Sequence, residues 1–188
     1  MWNSLNNKLN DVPTKGLLRI AISGKSGCGN STASRLLAER LNITLINYTF
    51  RNLAEDMGLS FNKLRELAEG NDNIDIKLDQ KQIDMASKAS CVLGSRLAIW
   101  LLDADLKIYL NISLEERAKR IHRRENGSFD TIKEQTQLRD QLDSNRYKRI
   151  YNIDTNNFEH AGLIIDDDNL TPEQIVDIIM AKLSTLSI

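Results

Sequence analysis

Apolar positions along this chain fall into five short runs, separated by longer stretches in which they recur at helical spacing. The runs predict strands near Leu17–Ser23, Thr44–Asn47, Cys91–Gly94, Leu106–Asn111 and Leu163–Ile165, each of strand length and rich in Leu, Ile or Val. Strands alternating with helices call for a parallel sheet covered on both faces, so the pattern predicts an α/β fold of three layers, α/β/α, around a five-stranded sheet. Ser113-Leu114-Glu115-Glu116 and Thr171-Pro172-Glu173-Gln174 mark two helix starts. Each offers a hydroxyl cap with Glu or Gln three residues on, the second with Pro at the first helical position. Between the second and third strands, Phe50 to Ala89 carries only helical patterns, broken at Gly70-Asn71-Asp72-Asn73, and reads as a helical insertion over the sheet's edge. A second helical excursion, Ser113 to Tyr151, is broken at Asn126-Gly127-Ser128.

At 188 residues the chain suits one buried core. Its formal charge of -1 supplies no global field for nucleic acid or an anionic membrane, so an anion site has to be local and neither partner is expected. Two cysteines, Cys28 and Cys91, without secretory context, point to a reducing compartment, the cytoplasm, and to no disulfide framework. No apolar run approaches the roughly 20 residues that span a bilayer. Met1 to Lys15, Asn-rich and without the apolar segment of a signal peptide, reads as a loose leader, leaving residues 16–188 as one domain.

The chemistry concentrates where the first strand runs into a helix. Gly24-Lys25-Ser26-Gly27-Cys28-Gly29-Asn30-Ser31-Thr32 fills the frame of a phosphate-binding loop, G-x-x-x-x-G-K-[ST], except that Asn30 stands in the lysine's slot. Such a loop aims successive backbone N–H groups at phosphate oxygens and offers a hydroxyl, here that of Ser31, to magnesium. The flanking strand and helix separate this reading from a chance glycine cluster. Arg117, Arg120 and Arg124 share one face of the helix after the fourth strand, with Arg123 beside them, and Arg139, Arg146 and Arg149 repeat the arrangement beyond the break. Two guanidinium faces joined by a turn can close over a polyphosphate. The alternative is a solvated face laced by pairs such as Glu116 with Arg120. His122 and His160 lack metal-ligand spacing, Trp100 reads as packing, and Asp166-Asp167-Asp168 either faces a base pocket or caps a turn.

With these residues in hand, the chain from Leu17 onward resembles the nucleoside monophosphate kinases, and within them the archaeal-type (type 2) cytidylate kinases. The segment Leu45 to Ala54 is similar to that family's entry into its monophosphate-binding region and gives Arg51 the acceptor phosphate. Leu78-Asp79-Gln80-Lys81-Gln82 resembles the helix over that site, and Val92 to Ala98 the segment whose arginine, here Arg96, also holds the monophosphate. Arg146-Tyr147-Lys148 with Tyr151-Asn152-Ile153-Asp154 resembles the end of the lid.

The resemblance implies a kinase domain with monophosphate-binding helices over about 50–90 and an arginine-rich lid over about 117–151. It implies transfer of the γ-phosphoryl of ATP to CMP or dCMP with Mg2+. Residues Gly24 to Thr32 would bind ATP, Ser31 the metal, and Arg51 and Arg96 the monophosphate, while Lys25, Arg120, Arg124 and Arg146 would serve the transfer. A monomer is expected. Two departures stand out: Asn30 for the lysine, and Gly94 where the family commonly carries an acidic residue. Lys25 either substitutes for the missing ammonium or points to solvent. The departures keep open a nucleotide-binding sensor that has lost the chemistry, and a kinase for another small acceptor also remains.

Overall fold

The computed structural model describes residues 16–186, so the leader expected at residues 1–15 lies outside the described residues. Five parallel strands form one sheet: β1 (Arg19–Gly24), β2 (Thr44–Ile46), β3 (Cys91–Gly94), β4 (Leu106–Asn111) and β5 (Leu163–Asp166), in the order β2-β3-β1-β4-β5. Each strand lies within two residues of its predicted bounds.

The central strand shows why the sheet is a middle layer. Ile20 and Ile22 point to one face and pack with Leu37, Ile175, Val176 and Ile179, while Ala21 points to the other, where Ile46, Leu93, Ile99 and Tyr109 cluster. Side chains alternate across a strand, so one apolar run serves two cores. The first core is closed by α1 (Asn30–Leu41), which follows β1, and by the last helix of the chain, Pro172–Leu183.

Between β2 and β3 come α2 (Phe50–Asp56), α3 (Phe61–Ala68) and α4 (Asp72–Ala86), which bury Leu53, Ala54, Leu64 and Ile74 in a small core of their own. The sequence marked only one break here. The structure has a second, at Met57 to Ser60, where Gly58 takes φ +67° and the Ser60 hydroxyl accepts from Lys63 N at 3.2 Å to start α3. A short helix, α5 (Ala98–Leu101), leads to β4; α6 (Leu114–His122) and the long α7 (Phe129–Tyr151) follow, then β5 and α8 (Pro172–Leu183).

Both predicted helix starts are present, with one difference. Thr171 and Gln174 exchange the two bonds of a full capping box, whereas Ser113 caps α6 alone because Glu116 turns to Arg120. Strand β1 lies between β3 and β4, so the connections leaving β1 and β3 diverge to opposite sides, and a crevice opens at their carboxyl ends. No helix among the described residues is long and apolar enough to cross a membrane.

Candidate active site

The crevice is a cleft of about 1610 Å³ running from the loop after β1 to α3 and α4. It exceeds the roughly 300–1,000 Å³ of a single small-molecule site, so it has room for two.

At one end the loop is shaped by its glycines. A Cβ on Gly24 would lie 2.6 Å from Cys28 Sγ and 2.9 Å from Leu110 O, so the backbone there admits no side chain. Gly29 takes φ +87° as it enters α1. Six other helices, α2, α3, α4, α6, α7 and α8, have hydroxyl or amide side chains capping their first turn, from Thr49, Ser60, Asn71, Ser113, Ser128 and Thr171. Gly29 gives α1 none. Thr32 N turns back to Gly29 O at 3.0 Å, so with no side-chain cap it is the opening of α1 around Ser31 that can face an anion, with the helix dipole behind it. Ser31 and Thr32 are exposed and line the cleft. Burial of Cys28 pushes its thiol up to about 11, against the opposing pull of the Asn30 backbone and nearby arginines, so it serves as packing under the loop.

Asn30 is engaged sideways. Its Oδ1 accepts from Ser34 Oγ at 2.9 Å, and both groups press on the end of β3: a Cβ on Gly94 would meet Ser34 Oγ at 2.4 Å and Asn30 Oδ1 at 3.0 Å. An acidic residue at 94 therefore does not fit this backbone, and the two departures from the resembled pattern touch one another. Lys25 lines the cleft with its Nζ donating to Asn156 Oδ1 at 2.9 Å.

The arginines of α6 divide into different roles. Arg117 turns inward and is buried; it donates to Ser26 O (2.9 Å), Ile112 O (3.2 Å) and Asp140 Oδ2 (2.7 Å), bracing the loop from beneath. Arg120 lines the cleft, donates to Cys28 O at 3.2 Å and to Asp167 Oδ2 at 3.0 Å, and borders Gly29. Asp167 is fully buried, so one member of the triple aspartate anchors an arginine, while Asp168 accepts from Ser113 N. Arg124 lines the cleft, exposed, its Nε donating to Arg120 O.

At the far end, α7 and the turn after β3 meet α4. Arg96 pairs with Asp143, Arg146 Nη2 donates to Asp143 Oδ1 at 2.8 Å, and Arg146 Nε stands 3.5 Å from Asp75 Oδ1 as a buried donor with no hydrogen bond. Arg149 grips Asp72 at 2.5 and 3.1 Å, and Tyr151 donates to Asp79 Oδ2 at 2.5 Å. Arg139 reaches Ser26 Oγ at 3.3 Å. Arg51 is not brought to the cleft with these: it is exposed, with its guanidinium over the Phe61 ring at 5.0 Å, and Phe61 and Arg65 line the wall instead. Trp100 packs edge-on to Tyr109, and the His122 ring meets Phe129.

Asp75, Asp79 and Gln82, spaced i, i+4 and i+7 on α4, also line the cleft; the resemblance placed the segment holding Asp79 and Gln82 over the site but gave none of the three a role. Their spacing on one helix face was the available signal. Burial pushes the Asp79 carboxyl up to about 7, with the Asp75 charge adding and the Tyr151 hydroxyl opposing. Burial raises Asp75 likewise, against Arg146.

Comparisons with known proteins place this arrangement. Among solved structures, a shikimate kinase from Bacteroides thetaiotaomicron superposes with a TM-score of 0.61 at 15% identity, covering 89% of this chain and 98% of that one. A deoxyadenosine kinase from M. mycoides superposes at 0.58 and 18%, covering 90% and 100%. At such identities these show a shared fold and nothing more. In sequence, cytidylate kinase 2 of Borreliella burgdorferi is 41% identical over 167 residues, covering 86% of this chain and 93% of that protein. The cytidylate kinase of Methanobrevibacter smithii is 38% identical over 170 residues, covering 89% and 99%. The profile of the cytidylate kinase-like family matches residues 19–169, and with relatives this similar over nearly their whole length the chain belongs to that family.

Proposed function

We propose that this protein transfers the γ-phosphoryl group of ATP to CMP or dCMP. The observation that carries the reading is the single cleft joining an anion-ready helix start, at Gly29 to Thr32, to a cluster of arginines at Arg96 and Arg146. Phosphoryl transfer asks the protein for positioning and charge stabilisation rather than a nucleophile. In this reading residues 50–90 bind the monophosphate and residues 117–151 form the lid. The amides from Ser26 to Thr32 cradle the triphosphate. Arg120, already seated on the loop, and Arg124 face its outer phosphates, while Arg96 and Arg146 hold the acceptor phosphate. Arg51 joins them only by leaving Phe61.

Mg2+ fits at the exposed Ser31 hydroxyl together with the nucleotide's own phosphates, in the way this ion commonly binds with few protein ligands. When bound it would neutralise charge on the transferring phosphates. Gly94 supplies no carboxylate to it, so the family's usual acidic partner is absent here. Asn30 offers an amide in place of an ammonium, and neutral hydrogen bonds are roughly half as strong as charge-assisted ones. Lys25, released from Asn156, supplies the missing cation in this scheme, and closure of α6 and α7 excludes water that would otherwise hydrolyse ATP. A cytoplasmic monomer accompanies the reading.

A coupled assay with ATP and each of CMP, dCMP, UMP and AMP tests it: turnover with the cytidine nucleotides is expected, and silence with all four defeats it. The Asn30–Ser34–Gly94 contact favours a second reading, a nucleotide sensor without transfer. Under it, ATP and CMP raise the melting temperature without being consumed, so any product from the natural sequence eliminates it.

A further inference from the structure

Resting on that reading, we propose that Asp143 is the positioning residue of the acceptor-phosphate site, holding Arg96 and Arg146 at the spacing of two phosphate oxygens. Its two carboxylate oxygens are divided, Oδ2 to Arg96 and Oδ1 to Arg146. The side chains are exposed by 37% for Arg96, 31% for Arg146 and 13% for Asp143, so the carboxylate sits behind the guanidiniums and they lie between it and solvent. Asp143 and Arg96 share the lining of a cavity of about 20 Å³ with Lys25 and Ser26, so the clamp lies beside the root of the phosphate loop.

Two guanidiniums brought together without a counter-charge repel and lose their aim. A carboxylate engaging both from the rear cancels one charge and leaves further donors on each fork for a ligand. The other acids at this end hold different groups: Asp75 stands by Arg146 Nε, Asp72 grips Arg149, and Asp79 takes the Tyr151 hydroxyl. Among these acids only Asp143 joins an arginine of the β3 turn to one of α7; the buried Tyr147 hydroxyl also meets both guanidiniums, and the carboxylate supplies the counter-charge that sets their spacing. Misplacing such groups by about 1 Å can cost on the order of 10²-fold.

The test is Asp143→Asn in steady-state assays with CMP and ATP varied in turn and cytidine added as a competitor. The expected result is a KM for CMP raised about 10- to 100-fold, with the KM for ATP and the inhibition by cytidine, which has no phosphate, within about twofold of wild type. Equal weakening of CMP and cytidine would mean that Asp143 serves the nucleoside or the general shape of the site and overturns the proposal. Tighter CMP binding overturns it too, since Asp143 would then be a competitor of phosphate. Asp143→Glu, which keeps the charge and moves it by one methylene, is expected to fall between wild type and the asparagine variant, and it carries the test if Asp143→Asn does not fold. A wild-type protein inert towards CMP removes the functional reading itself, an outcome visible before any variant is made.

Discussion

The two ends of the cleft hold their arginines in opposite ways. At the loop end, Arg117 and Arg120 are tied to main-chain carbonyls, Ser26 O, Ile112 O, Cys28 O and Asp167 O, and to acids that are themselves largely buried. At the far end, Arg96, Arg146 and Arg149 are tied to the carboxylates of Asp143 on α7 and of Asp75 and Asp72 on α4. A cation held by backbone is part of the fold. A cation held from behind by a carboxylate keeps other donors of its fork free for a phosphate. The contrast makes the loop end part of the fold itself and the far end a clamp of side chains whose unused donors face the cleft.

The comparison breaks most visibly at Arg117. Arg117→Gln leaves Asp140 and two carbonyls short of a partner in a buried place, so it is expected to cost roughly 3–5 kcal/mol. Urea unfolding would register this as a lower midpoint at unchanged slope. Arg146→Gln should do the reverse, cutting kcat/KM with CMP by about 10²- to 10³-fold while the unfolding midpoint moves far less than for Arg117→Gln. If the two variants lose stability equally, the distinction between the ends fails.

Next in size is Gly94→Asp. Its new side chain overlaps Ser34, an overpacking expected to cost about 1–3 kcal/mol, and it should not raise turnover despite supplying the acid that the resembled pattern calls for. A rise in rate would show that the Asn30–Ser34 pair gives way easily.

A pH titration sharpens the far end. The carboxyl of Asp79 lies near 7 in the folded protein against an ordinary value of 3.8. A raised acid favours the folded state most at low pH, so its contribution is present below about pH 4 and is lost as pH climbs towards 7. Asp79→Asn should flatten that slope. Smallest of all, Arg149→Ala removes an exposed pair with Asp72 and should leave the melting curve of the free protein unchanged.

Much of the loop end could be read from sequence because its determinants are local. Glycine spacing, a strand before and a helix after define the phosphate loop, and the five apolar runs define the sheet. The Thr171 box and the breaks near 70–73 and 126–128 are likewise short-range. The far end depends on pairing. Helical spacing grouped Arg117 with Arg120 and Arg124 but could not say that Arg117 faces inward, since that depends on where Asp140 of the next helix lands. Asp143 has nothing local to mark it, and the run Asp166-Asp167-Asp168 could not say that its middle member would anchor Arg120. Arg51 stands in the segment that the resemblance pointed to, yet the Phe61 ring one helix later draws it aside. The break at Gly58 went unseen because one glycine in a helical stretch is a weak signal.

The bare start of α1 has a consequence beyond catalysis. Six neighbouring helices cap a leading amide with a side chain of the chain itself, whereas this one has no such cap and leaves room there for an outside partner, so folding and binding share a step. A nucleotide at about 100 times its Kd adds roughly 2.7 kcal/mol to the folded state. Part of that gain completes a secondary-structure element that the polypeptide, left to itself, leaves unfinished.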